Sequence, residues 1–435
     1  MSRLTPEQRQ QAIRSMVDGL AEKLKDNPDD RDGVGQRDIY FFDDNAYSEL
    51  PAMQSEAKTY QHMGLDMDFV NAVRSSSGSL THYLDDTVST TNSPCAQDLA
   101  YDLDGDCMVD ADDLQTMIDF VREQGKRAGL VEVVPSGCIT LGRKGEALAP
   151  MAELAAAGVR IFTDDGNGVQ DDLLMRRAME YGKGLGITLA QHCEVSSLTK
   201  GAVMNECQCC TSLGLPGWPS IAEELMVFRD IELARLTGAR VHFLHLSTAR
   251  SVELVRAAKR DGLPVTAEVT PHHFVLTDEM LGAPIPYDTN IKMNPPLREV
   301  ADRDAMLQGL ADGSVDVIAT DHAPHHYDEK NVEFDRAPFG IVGLETAVSL
   351  SLDRLYHAGL VRMPRLIELL SVNPARILKV AGGTLSEGVP ADITIIAPDM
   401  HVRVQAAALK SKSKNTPFDG WELRGGVAAT FVGGR

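Results

Sequence analysis

The sequence predicts an α/β chain built on a TIM-type (β/α)8 barrel, incomplete, with six recognisable strands, and followed by part of a small β-sandwich. Three observations carry this reading. After residue 126, short apolar runs alternate with amphipathic stretches, the pattern of parallel strands buried on both faces and joined by helices. Most of these runs end in Asp, His, Ser, Thr or Pro, and in such barrels the C-terminal strand ends form the rim that carries chemistry. From residue 381 to 435 the pattern switches to short alternating strands with Gly and Pro turns, which suits a half-buried sheet.

In chain order, residues 5–26 place apolar residues at helical spacing behind a Thr-Pro-Glu-Gln start and predict an amphipathic helix. Residues 27–100 are rich in Asp, Ser, Asn and Gly and show no period. Residues 102–113 set Asp102, Asp104, Asp106, Asp110 and Asp113 at the spacing of oxygen ligands in a Ca²⁺ loop, with a helical pattern after them. Cys107 stands at the usual glycine position and Asp113 at the usual glutamate, so a calcium loop and a solvated acidic loop both stay open. The six strand runs follow: 131–137, 159–166, 187–193, 241–247, 265–273 and 315–326. The expected organisation is an acidic segment at 1–120, a barrel at 121–380 and the β-sandwich portion at 381–435.

Charge separates the first segment from the rest. Residues 1–120 hold 24 Asp/Glu against 9 Lys/Arg, whereas the remaining 315 residues hold 39 against 33. A net charge of -21 argues against nucleic acid and an anionic membrane surface as partners. No run reaches membrane-spanning length, and the N-terminus lacks the apolar stretch of a signal peptide. A cytoplasmic location is the expectation. The seven cysteines, including Cys207, Cys209 and Cys210, read as reduced thiols in a chain too long to need a disulfide framework.

The polar strand ends gather a metal-binding vocabulary: Asp164 and Asp165, His192, His245, and Asp321 with His322 and His325. Imidazoles and carboxylates converging on one rim suit a divalent ion such as Zn²⁺, which acidifies bound water and polarises carbonyls. One histidine at a strand end is ordinarily structural. Four such ends in order make a site.

The segments FTDDG, QHCE, HLSTA, EVTPHH, NPPLR, ATDHAPH, APFGIVGLETA, NPARI and SKSKNTPF together resemble the class I dihydroorotases of the amidohydrolase superfamily. Allantoinases and dihydropyrimidinases, the alternative cyclic amidohydrolases, generally carry a carboxylated lysine where FTDDG has aspartate. The resemblance implies a metal-dependent hydrolase of pyrimidine biosynthesis that interconverts L-dihydroorotate and N-carbamoyl-L-aspartate. It makes Asp165, His192, His245 and Asp321 metal ligands, with Asp321 also the acid/base catalyst, and puts Asn294 and His325 on the substrate. His242 reads as structural, and His272 and His273 as packing or supporting residues on a strand. Zn²⁺ is the implied cofactor, one ion rather than two. The implied macromolecular partners are a second copy in a homodimer or aspartate transcarbamoylase.

The family's first strand ends in His-x-His followed by Leu-Arg, and its second in Met-Pro-Asn-Thr; neither is in this sequence. Three readings follow: a one-metal dihydroorotase of altered activity, a silent subunit supporting aspartate transcarbamoylase, and a recombined chain whose acidic segment replaces the first two strands.

Overall fold

The computed structural model describes residues 111–129, 131–282 and 286–435. The helix expected at 5–26, the segment 27–100 and the acidic residues Asp102, Asp104, Asp106 and Asp110 lie outside the described residues, as does the side chain of Asp113. The helical pattern after the acidic loop forms α1 (Ala111–Ala128).

The central sheet is wholly parallel and runs in chain order. It consists of β1 (Ile161–Thr163), β2 (Thr188–Gln191), β5 (Val241–Phe243), β6 (Val265–Val269) and β7 (Val317–Ile318). Register is fixed by pairs such as Phe162 with Leu189, Leu189 with Val241, Val241 with Val265 and Val269 with Ile318. An excursion between β2 and β5 forms a small parallel pair, β3 (Met204–Asn205) with β4 (Gly217–Trp218).

Helices between the strands cover the sheet because their apolar residues recur at helical spacing. Met175, Ala178, Met179 and Gly182 form the buried face of α2 (Asp172–Leu185), which Asp171 caps by accepting from the Leu174 N–H at 2.7 Å. In α3 (Ile221–Thr237) the buried face includes Met226, Val227, Ile231 and Ala234. In α4 (Ala249–Arg260) it is Ser251, Val252, Val255 and Ala258, and in α5 (Val300–Asp312) it is Met306, Gly309 and Leu310. The apolar side chains among these meet Phe162, Leu189, Phe243, Val269 and Ile318 in one core. Full burial of each large apolar side chain contributes roughly 1.5–3 kcal/mol before entropy is charged against it.

The first of the six expected strands reduces to one bridge. Gly137 donates to the Ile161 carbonyl at 3.0 Å and accepts from Thr163 N at 2.8 Å, pairing parallel with Phe162. Pro135, two residues earlier, has no N–H to give a ladder. At the far side, a bridge between His322 and Ile341 follows β7. The run 265–273 also ends sooner than its composition suggests: Thr270 caps a short helix, Pro271–Val275, so His272 and His273 are helical.

The tail forms an antiparallel ribbon of β8 (Ile393–Arg403) and β9 (Glu422–Phe431). Val404 and Leu423 share an apolar cluster with Met204, Leu276, Met293 and Phe334, and Arg424 N donates to Asp353 at 3.0 Å. The ribbon therefore packs on the barrel portion through both apolar and polar contacts. Among the described residues, no helix is long and apolar enough to cross a membrane.

Candidate active site

The consecutive aspartates after β1 divide the work. Asp164 is buried and turns back to accept from the backbone of Ile139 and Thr140 at 2.9 and 3.0 Å, and from the Thr140 hydroxyl. Asp165 goes to the rim. Its Oδ1 lies 3.0 Å from His192 Nδ1 and 3.2 Å from His245 Nε2, while the two imidazoles approach each other at 3.1 Å. His192 directly follows β2, and His245 stands two residues beyond β5 with φ +30°. Asp321, three residues beyond β7, has φ +45°. Two non-glycine residues in this sparsely populated region at one rim mark a functional site.

Other polar groups orient the histidines. His192 Nε2 meets Glu194 at 3.0 Å, and Glu194 also accepts from the Thr199 hydroxyl and from Asn294 Nδ2 at 3.4 Å. The His245 N–H donates to Glu268 at 3.4 Å, and Glu268 pairs with His242 at 2.9 Å. His242, expected to be structural, thus helps hold the rim. Such partners fix ring orientation and ligand basicity in metal sites.

The electrostatics favour a cation. Burial penalises the His192 imidazolium, yet the carboxylates of Asp165 and Glu194 outweigh it and push the group up to about 10. Burial likewise works against the Asp165 carboxylate, but His192 and His245 hold it well below the usual range. Asp321 is pushed up to about 7, chiefly by burial, with the Asp165 charge adding to it. Its Oδ2 is buried without a hydrogen-bond partner. Ligand atoms of Asp165, His192 and His245 all lie within 4.8 Å of one another. A compact nitrogen and oxygen donor set, a field that rewards positive charge and an orphaned carboxylate oxygen beside them fit a divalent metal.

Not every strand-end residue joins this cluster. His322 accepts from the Gly343 and Leu344 N–H groups at 3.0 and 3.3 Å. His325 has both ring nitrogens engaged, Nε2 with the Phe339 carbonyl at 2.8 Å and Nδ1 with Glu329 at 3.2 Å. Asn294 keeps Oδ1 buried and unpartnered. His273 bridges Thr270 and the Pro295 carbonyl at 2.7 and 2.9 Å, the packing role expected of it.

Burial pushes His273 down to about 3. The folded state therefore resists a proton that the unfolded chain takes near 6.5, so this stabilisation is complete above 6.5 and is lost as pH falls towards 3. Between pH 6.5 and 4.5 the protein should lose about 1.4 kcal/mol per pH unit more than its His273→Gln variant. Denaturant unfolding of both proteins at several pH values checks this, and parallel curves would refute it.

Sequence reasoning missed the acids that brace the rim from behind. Glu223 on α3 accepts from the N–H groups and hydroxyls of both Ser247 and Thr248. Seven residues on, Asp230 accepts from Gln191 Nε2 at 2.9 Å. Arg298 of NPPLR donates to the Ser247 hydroxyl, Asn205 and the Trp218 carbonyl at 3.1, 2.8 and 2.7 Å. The available signal was two acids two helical turns apart on the apolar face of α3. Gly168 is another rim support: it has φ +61°, and a Cβ there would overlap the His192 carbonyl oxygen. Gly168→Ala should cost about 1–3 kcal/mol and displace His192, seen as a lower melting temperature together with weaker metal binding; an unchanged melting curve would contradict the overlap.

The parallel strands that deliver His and Asp side chains to one rim, taken with the relatives that share them, place the chain in the class of cyclic amidohydrolases, enzymes acting on C–N bonds of cyclic amides. The Dihydro-orotase-like family model matches residues 100–251. A dihydroorotase from Pelotomaculum thermopropionicum is 52% identical over 319 residues, covering 73% of this chain and 74% of the relative. One from Geobacter sp. strain M21 is 50% identical over 323 residues, covering 74% and 75%. The chain belongs to the dihydroorotase family. In fold it is similar to the L-hydantoinase of Arthrobacter aurescens, with TM-score 0.63, 23% identity and coverage of 75% of this chain and 73% of that one. The dihydropyrimidinase of Brevibacillus agri NCHU1002 gives TM-score 0.64 at 20% identity, covering 74% and 72%.

Proposed function

We propose that the chain is a dihydroorotase, opening the cyclic amide of L-dihydroorotate to N-carbamoyl-L-aspartate and closing it in the reverse direction. The observation that carries this reading is the rim cluster of Asp165, His192 and His245 with the unpartnered Asp321 oxygen. Asp165, His192, His245 and Asp321 would hold one Zn²⁺. When bound, the ion supplies Lewis acidity, polarising the amide carbonyl and acidifying water.

The side chains supply the rest. Asp321 takes the proton of the attacking water and returns it to the departing ring nitrogen, a task suited to a buried carboxylate whose Oδ2 has no protein partner. Glu194 keeps the His192 imidazole in orientation, and Glu268 holds the backbone of His245. Asn294 offers its unpartnered Oδ1 to a substrate N–H, which repairs the cost of an unsatisfied buried acceptor. His325 would take the substrate α-carboxylate at Nδ1 in place of Glu329, in its protonated form, with Nε2–H staying on the Phe339 carbonyl.

The sequence has no His-x-His pair, and this favours a second reading: a silent dihydroorotase-like subunit that supports aspartate transcarbamoylase. Ring opening measured alongside bound zinc decides between the two. About one Zn²⁺ per chain with turnover on dihydroorotate supports the enzyme; metal-free, inactive protein supports the subunit. Preference for allantoin or dihydrouracil would overturn the substrate assignment.

A further inference from the structure

Outside the rim, the segment Asn205 to Cys210 builds a second cluster of ligating side chains, and nothing in the amide chemistry uses it. Sulfur atoms of Cys207 and Cys209 and a carboxylate oxygen of Asp278 lie within 4.8 Å of one another. Cys209 Sγ stands 3.7 Å from Asp278 Oδ2. The carboxylate is held in place: Asn205 Nδ2 donates to it at 2.7 Å, and Arg298 fixes Asn205 through its Oδ1 at 2.8 Å. Asp278 and Asn205 are buried, and the two sulfurs are half-buried. In the structure the two sulfurs are joined as a disulfide, which corrects the expectation of reduced thiols at these positions. Cys210 is a free thiol whose Sγ donates to the Cys207 carbonyl at 3.0 Å.

We infer that Cys207, Cys209 and Asp278 form a second metal site, two thiolates and one carboxylate, for a thiophilic divalent ion such as Zn²⁺, opened by reduction of the Cys207–Cys209 bond. A dithiol supplies the two electrons and two protons: the S–S bond breaks, two thiols form and the dithiol becomes its own disulfide. Binding the ion then releases the two thiol protons, because thiolate is the ligand. Three protein donors leave one tetrahedral position for water. Asn205 plays the part that outer hydrogen bonds play around metal centres, aiming the carboxylate before the ion arrives. The rim set contains no sulfur donor, so the two sites are chemically distinguishable and this inference stands apart from the dihydroorotase reading.

The test uses the full chain, oxidised or reduced with a dithiol and freed of reductant without air, then titrated with Co²⁺ as a spectroscopic stand-in. A thiolate-to-cobalt charge-transfer band is expected in the reduced protein alone, saturating with one equivalent of Co²⁺ beyond what the oxidised protein binds, together with two additional titratable thiols. Cys207→Ser and Cys209→Ser should each abolish the band. Asp278→Asn should weaken Co²⁺ binding at that band by at least about tenfold, and Cys210→Ser should retain it. Circular dichroism of each variant distinguishes loss of ligands from loss of fold. A band that survives both cysteine substitutions overturns the assignment, as does reduced, folded protein that gives no band or shows no gain in thiols.

Discussion

Asp321→Asn should lower kcat for dihydroorotate ring opening by about 10²–10⁴-fold. The substitution keeps size and shape but removes the proton-carrying oxygen. Asp321 is suited to that task because its Oδ2 is buried at the rim without a protein partner. Its positive φ shows that the turn after β7 is shaped to present it. Zinc content and kcat should be measured together on the same preparation. Turnover near the wild-type value with metal retained would remove Asp321 from the acid/base role. Loss of zinc in proportion to activity would show that it acts only as a ligand.

Glu223→Ala should destabilise the fold by about 3–5 kcal/mol. Its carboxylate accepts from two backbone N–H groups and two hydroxyls at Ser247 and Thr248, two and three residues after His245. The negative charge also faces the buried Arg298 guanidinium, whose pKa burial depresses and Glu223 supports. Truncation removes one of the acids that offset that cation and leaves two N–H groups and two hydroxyls unsatisfied, and each such donor costs about 1–3 kcal/mol. Glu223→Gln preserves the shape and should lose less. Denaturant unfolding measures both variants. A change below about 1 kcal/mol for the alanine variant would mean that solvent reaches the pocket and pairs the stranded groups.

The strands and the rim candidates were legible in the sequence for the same reason. An apolar run ending in a polar residue announces both a buried strand and what it carries to the rim, so Asp164, Asp165, His192, His245 and Asp321 stood out as candidates from position. The division between Asp164 and Asp165 was not visible in spacing alone; the resemblance chose between them, and the backbone of Ile139 and Thr140 supplies the physical reason. Run 131–137 misled because its apolar composition is strand-like while Pro135 interrupts the ladder. Glu194 stood in plain view two residues after His192, but its role depends on Thr199 and Asn294, which arrive from elsewhere in the chain. Glu223 was hidden more deeply, since a helical glutamate reads as solvent-exposed until a buried partner is known. The sulfur bond between Cys207 and Cys209 depends on how the chain turns at the start of a short helix, and cysteine count does not encode that turn.

The chain-order arrangement of the parallel strands also sets a timetable. Each new strand docks on its predecessor, so the sheet can grow from β1 towards β7 as the polypeptide emerges during synthesis, without waiting for a distant segment. The proposed donors would arrive on the same schedule: Asp165, then His192, then His245, with Asp321 added only after β7 has docked. Acquisition of metal affinity would thus become a clock for the closing stage of assembly, and a nascent chain that stops short of residue 321 would carry three of the four proposed donors.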